Sequence, residues 1–131
     1  MRLMLVLALL AVIMAPPVLG RAEDPIVATP PPPTAWIPKT TALVQVLDKV
    51  NARGSILTIK VGQSAVFGSL TIAVTACSVR PPDVPADATA FLTVTDKNAA
   101  APDFSGWMLK ATPAVSMLAH PIYDVRVVGC T

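Results

Sequence analysis

Leu70-Thr71-Ile72-Ala73-Val74-Thr75-Ala76-Cys77-Ser78-Val79 decides the fold class of this chain. Leu70, Ile72 and Val74 occupy every second position, with Thr71, Ala73 and Thr75 between them. That is the period of a strand with one face in a core and the other toward solvent. Three further segments repeat the pattern: Leu57, Ile59 and Val61; Ala90, Leu92 and Val94; and Tyr123, Val125 and Val127. β-branched residues dominate all four, so a sheet protein is expected.

The connections agree with strands. Asn51-Ala52-Arg53-Gly54 separates residues 42–50 from 55–61 and predicts a short hairpin loop, with the glycine at the positive-φ position. Gly62 and Gly68 bracket a short segment at residues 65–67, while Pro81, Pro82 and Pro85 end the central strand. Pro102 breaks the chain before Phe104-Ser105-Gly106-Trp107-Met108. One short helix is predicted: Thr112 as cap, Pro113 at the first helical position, residues 114–119 following, and His120-Pro121 as the stop. Two turns cannot stand alone, so this helix should pack through Val115 and Leu118. The expected fold is all-β: a small antiparallel sandwich or open barrel of about seven strands with one short helix between the last two.

The chain begins Met1-Arg2, followed by an uninterrupted apolar run over residues 3–14 and then Pro16-Pro17. Such a run is shorter than the roughly 20 residues a membrane-spanning helix needs. It reads as an export signal over residues 1–20, cleaved after Gly20 or after Ala22. No cysteine lies near either junction, which excludes a lipid anchor there. Residues 21–39 hold Pro25, Pro30-Pro31-Pro32-Pro33 and Pro38, a proline-rich linker expected to be a stiff polyproline II spacer outside any sheet ladder, the alternative being a ligand for a proline-recognising groove. Trp36 within it is either a docking anchor or the first residue to pack on the domain. Residues 40–131 form the single β domain, small enough for a covalent staple to matter.

Localisation follows as periplasmic or secreted. The mean hydropathy of +0.63 owes part of its value to the signal, and no membrane span is expected after cleavage. The full chain carries 10 basic and 8 acidic residues. Removing Arg2, and then Arg21, brings these totals close to balance. A near-neutral surface offers no electrostatic footprint for nucleic acid or acidic lipid.

The chain has 2 cysteines, Cys77 and Cys130. In an oxidising compartment they predict one disulfide. Within residues 69–79 the core-facing positions are even-numbered and Cys77 is odd; within residues 122–130 the apolar positions are odd and Cys130 is even. Both sulfurs should then leave the less apolar face of their strands, as a bridge between neighbouring strands requires.

Chemistry is sparse. The cysteines form no C-x-x-C pair, and His120 is the single histidine, so no metal site or cofactor is expected. His120 instead suits a cap on free carbonyls beside Pro121. Ser105 or Ser116 with His120 and Asp103 or Asp124 makes a triad only on paper, without a nucleophile-elbow pattern. The chain has no phosphate loop, dinucleotide fingerprint or calcium loop. An enzyme is not expected. Phe91 falls opposite in parity to Leu92 and Val94, so it is either exposed or on a strand covered on both faces. With Trp107 and Tyr123 it makes a candidate stacking platform, although a core role suits most rings in so small a domain.

Six segments carry a resemblance: Leu47-Asp48-Lys49-Val50, Phe67-Gly68-Ser69-Leu70, Cys77-Ser78-Val79-Arg80-Pro81-Pro82, Ala90-Phe91-Leu92, Phe104-Ser105-Gly106-Trp107-Met108, and His120-Pro121-Ile122-Tyr123-Asp124-Val125 running on to Cys130. Together they resemble a family of small exported alphaproteobacterial proteins known only as a domain of unknown function, whose members match both cysteines. The resemblance implies no activity, cofactor or catalytic residue. Its genes' proximity to one for an accessory subunit of respiratory NADH dehydrogenase implies an assembly rather than a mechanism. Two readings of the motif residues follow. In one, Trp107 and Tyr123 fill the core, Gly106 permits a bulge, and Arg80 pairs with Asp124. In the other, Asp48, Lys49, Arg80, Phe91, Trp107, His120, Tyr123 and Asp124 form a recognition patch. The expected function is a non-enzymatic accessory or binding subunit of an envelope or respiratory assembly, its partner another envelope protein. The alternative is a small-molecule or glycan binding module.

Overall fold

The computed structural model describes residues 35–131. The expected export signal at residues 1–20 and the expected linker through residue 34 lie outside them. Eight strands follow in order: β1 Ile37–Pro38, β2 Thr41–Asp48, β3 Arg53–Lys60, β4 Ser64–Phe67, β5 Leu70–Val79, β6 Ala88–Asp96, β7 Phe104–Leu109 and β8 Tyr123–Cys130. They form two open antiparallel sheets. The first has the order β1-β5-β6-β7, with β4 also on β5, and the second runs β3-β2-β8. β4 occupies the first half of the outer edge of β5 and β1 its last two residues.

The alternation works as expected over most of each strand. Ile72, Val74, Leu92 and Val94 of the first sheet meet Val44, Val46, Val125 and Val127 of the second in one core, all 3% exposed or less. Burying a side chain of this size contributes about 1.5–3 kcal/mol, and the hydroxyls and charges between them stay outside.

The parity argument fails at both cysteines, for the same reason. Val74 pairs with Leu92 but Ala76 pairs with Phe91, so Thr75 is an extra residue in β5. Val127 pairs with Val44 but Gly129 pairs with Leu43, so Val128 is extra in β8. Each bulge reverses the side-chain phase beyond it. Cys77 therefore turns inward, 2% exposed, and Cys130 turns inward beside Ala42. The two are bonded, with Cα atoms 5.8 Å apart. The disulfide thus ties one sheet to the other through the interior instead of linking neighbours on an outer face.

Four local expectations need correction. The hairpin between β2 and β3 forms, but its positive-φ residue is Ala52 at 51°, and Gly54 lies within β3. The Asp48 carboxylate organises that turn by accepting the N–H groups of Val50 and Asn51 at 3.0 and 2.9 Å. Ile37 and Pro38, counted with the linker, join the first sheet; proline is tolerated on that edge because its missing N–H faces away from β5. The helix reduces to one 3₁₀ turn, Pro113–Val115, whose Thr112 side chain makes no cap hydrogen bond. So few residues before Pro121 cannot sustain a helix. Val115 is 74% exposed and only Leu118 is buried. Gly106 causes no bulge, since β6 and β7 pair without a register shift. It faces the core opposite Leu92, and a Cβ there would come within 3.3 Å of the Phe104 ring.

Candidate functional site

Seven of the eight candidate patch residues divide among three places, and Asp48 stands apart from them. The first is a buried polar knot built on His120-Pro121-Ile122-Tyr123. Nδ1 of His120 accepts the N–H groups of Ile122 and Tyr123, both at 3.1 Å. With Nδ1 an acceptor, Nε2 carries the proton and donates it to Oδ2 of Asp96 at 3.2 Å. Both side chains are 2% exposed. The Asp96 carboxylate also accepts the Ser69 hydroxyl and the N–H groups of Asn98 and Ala100. These donors, the Ser69 hydroxyl foremost, hold its carboxyl well below the usual carboxylate range.

Around this pair, Lys49 donates from Nζ to the His120 carbonyl at 2.8 Å. Ser69 donates its N–H to the Tyr123 hydroxyl at 3.3 Å, and Tyr123 packs edge-on against Phe67 with centroids 6.1 Å apart. His120 therefore receives backbone N–H groups where a carbonyl cap was expected. Among the described residues every buried side-chain nitrogen and oxygen has a partner. The knot places a serine, an aspartate and the histidine together, yet in an order unsuited to nucleophilic catalysis. Ser69 and His120 both donate to one carboxylate, and neither ring nitrogen has a lone pair free to take a hydroxyl proton. Ser105 lies elsewhere, bonded to the Thr93 hydroxyl at 3.3 Å.

The second place is the outer face of the second sheet. There Asp124 pairs with Arg126, two residues along its own strand, at 2.9 Å, in place of the expected pairing with Arg80. Beside it, a cavity of 150 Å³ opens between the edges of β7 and β8, lined by Met108, Pro113, Met117 and Val127 among others. Asp48 sits apart, at the tip of the β2–β3 hairpin. Its carboxyl is lowered chiefly by the Asn51 side-chain amide.

The third place is the outer face of the first sheet. Trp107, expected in the core under one reading, is 47% exposed because β7 keeps its alternation and Met108 takes the inward position. Its ring meets Phe91 edge to face at 5.5 Å, directly across the β6–β7 register. At the opposite side of the face the Arg80 guanidinium stacks over Trp36, 4.1 Å from the ring centroid. A shallow groove of 310 Å³ lies between, lined by Trp36, Ser78, Thr89, Trp107 and Leu109. The Thr89 hydroxyl is engaged by the Met108 carbonyl at 3.0 Å, which leaves the groove largely apolar.

Tyr123 belongs to the knot, so the platform of Phe91, Trp107 and Tyr123 does not assemble; Trp36 is the ring that shares the groove with Trp107. Its signal was its place three residues after the proline run, at the threshold of the domain. Leu109 was legible from its phase with Trp107, two residues earlier.

Among the described residues, no group of three His, Cys, Asp or Glu side chains is arranged to hold a metal. Among them, too, no helix is long and apolar enough to cross a membrane.

Residues 42–130 match the family described as an uncharacterized protein conserved in bacteria (DUF2155), and the chain belongs to it. No curated protein and no solved structure matches the chain.

Proposed function

We propose that this protein is a non-enzymatic accessory subunit of the bacterial periplasm that docks onto a larger envelope or respiratory assembly through the outer face of its first sheet. The observation that carries this reading is the groove between Trp36 and Trp107. Aromatic side chains around a shallow apolar depression are the usual anchors of protein–protein contact. The buried Cys77–Cys130 bond and the signal-like leader support an oxidising compartment. The non-enzymatic part rests on the knot, where the histidine is committed to structural hydrogen bonds.

Capture of the full chain from the bacterial envelope tests the reading when Trp107→Ala is run beside Ile56→Ser. Ile56 is 60% exposed on the other sheet. Loss of one reproducible partner in the first variant and its retention in the second is the expected result. A partner retained equally by both, or a monomer recovered alone, overturns it.

A second reading, binding of a glycan or small molecule, is favoured by the same two indoles. A sugar needs several convergent polar groups as well, and the groove offers mainly Ser78. Titration calorimetry with oligosaccharides should give no heat that Trp107→Ala removes.

A further inference from the structure

The groove beside Trp107 and the cavity beside Met108 lie on the two sides of one strand edge, that of β7. We infer that the docked partner adds an extended, uncharged segment of its own chain to β7 as a further strand, alternate side chains entering groove and cavity. The added strand rests on the docking face argued above and names the part of the partner that binds there.

The edge is open. β7 is the last strand of its sheet. Lys110 donates its N–H to the Ala88 carbonyl at 2.9 Å, and the β6–β7 register continues without a shift. Antiparallel bonds alternate along a strand, so Gly106 and Met108 also bond β6 while Ser105, Trp107 and Leu109 turn their N–H and C=O groups outward. Among the described residues no backbone group pairs with these three on that side. Natural sheets blunt such edges with charge, proline, a bulge or a very short strand. Pro38 lies on β1, β4 has 4 residues, β8 carries its bulge, and β3 ends in Arg53 and Lys60. Phe104–Leu109 has none of these.

The two sides of the edge suit one kind of occupant. Side chains of an added strand point alternately to the two faces of the sheet. On the outer side they meet the 310 Å³ groove at Trp107, and on the inner side the 150 Å³ cavity lined by Met108, Met117 and Val127. Leu109 lines both, as a residue on their shared wall must. A cavity of this size holds about one benzene-sized apolar group. Met117, 58% exposed, would be covered. The segment is therefore apolar on both sides, with no proline at the positions that bond β7. A second copy does not fit, because its β3 and β7 already commit Ile59 and Met108, each 2% exposed, to their own core.

The test is a strand fused to the full chain. Sγ of Cys130 lies 3.6 Å from the Thr89 carbonyl, and Thr89 stands opposite Leu109, so the C-terminus is near the end of β7. A Gly-Ser linker of about eight residues after Thr131, reaching about 15 Å, then carries Thr-Val-Thr-Leu-Thr-Val-Thr antiparallel along β7. Its valines and leucine face the cavity side, which leaves its threonines to bond β7. The control strand, Thr-Val-Pro-Leu-Pro-Val-Thr, keeps the apolar side chains and loses central N–H donors. The expected result is a melting temperature at least about 4 °C above the parent, with roughly tenfold slower amide exchange at Ser105, Trp107 and Leu109. The proline strand should give neither. No shift with unchanged exchange overturns the added strand, as does equal stabilisation by both fusions.

Partner capture separates this from the docking reading. The first fusion should lose the partner that Trp107→Ala loses, and the proline fusion should keep it. A partner still captured by a chain whose edge is filled overturns strand addition and leaves the docking face standing. Capture that never depended on Trp107 overturns the docking face itself.

Discussion

Cys77 and Cys130 meet inside the sandwich because each stands just beyond one extra residue in its strand, Thr75 in β5 and Val128 in β8. Both phase reversals are needed for a bond between sheets.

The bond closes a loop spanning a sequence separation of 53 residues, for which loop-closure entropy gives about 4 kcal/mol. Against a typical total of about 5–15 kcal/mol, that is a large share. Cys77→Ala should lower the melting temperature by more than about 10 °C. Denatured, unreduced protein should show no free thiol. Deletion of Thr75 should return Cys77 to the outer face, giving either two titratable thiols or an unfolded chain; a bonded, folded deletion variant would refute the bulge argument.

Gly68 has φ of 58°, and a Cβ built on it would overlap the Tyr123 hydroxyl. Gly68→Ala combines left-handed strain with overpacking and should cost about 3 kcal/mol. Tyr123→Phe alone leaves the Ser69 N–H without its acceptor, at about 1–3 kcal/mol. Since both act on one contact, the double variant should lose less than the sum. Urea midpoints of the four proteins check this; strict additivity would mean that the two sites do not touch.

Asp96 is the acid-sensitive point of the knot. Its carboxyl is lowered in the folded state from the usual 3.8, so ionised Asp96 favours the fold. That contribution is fully present above the unfolded value and is lost as pH falls through the folded one. Stability should hold from neutrality to about pH 4 and then decline. Asp96→Asn should be less stable at pH 7 and should flatten the decline, as urea midpoints between pH 7 and 2 would record. The same decline in both proteins would place the acid sensitivity elsewhere.

Ala52 and Ala99 hold φ of 51° and 49°, in turns organised by Asp48 and Asp96. Ala52→Gly should relieve left-handed strain and stabilise by up to about 1 kcal/mol, the gain reduced by the freer unfolded chain. A lower melting temperature would show that the turn does not strain its alanine.

Four strands were legible because threonines and lysines fall between their core residues, as around Leu57 and Ile59. The disulfide was legible from the count of cysteines, although its geometry was not. A bulge at Thr75 or Val128 leaves no mark in a sequence where every neighbour is also a good strand former. The short helix misled because Thr112-Pro113 is a proper start signal, whereas the length before Pro121 decides the outcome. At the candidate site, Trp107 and Arg80 were visible as residues but not as neighbours of Trp36. That juxtaposition depends on Pro38 joining the edge of β5, which a rule about missing donors argues against. His120 was conspicuous, but its partners Asp96 and Ser69 come from distant turns.

Thr131 takes the N–H groups of Thr40 and Thr41 on its carbonyl, and donates its own N–H to Thr41 at 2.9 Å, so the two ends of the domain are clasped together. The pairing is antiparallel, and a pull on both ends would unzip it one bond at a time, with little resistance. The opening would halt one residue in, at Cys130, whose covalent tie to β5 hands the load to the middle of the other sheet. A domain pulled at Thr40 and at Thr131 would thus yield at the clasp while its core stayed shut, a built-in mechanical stop.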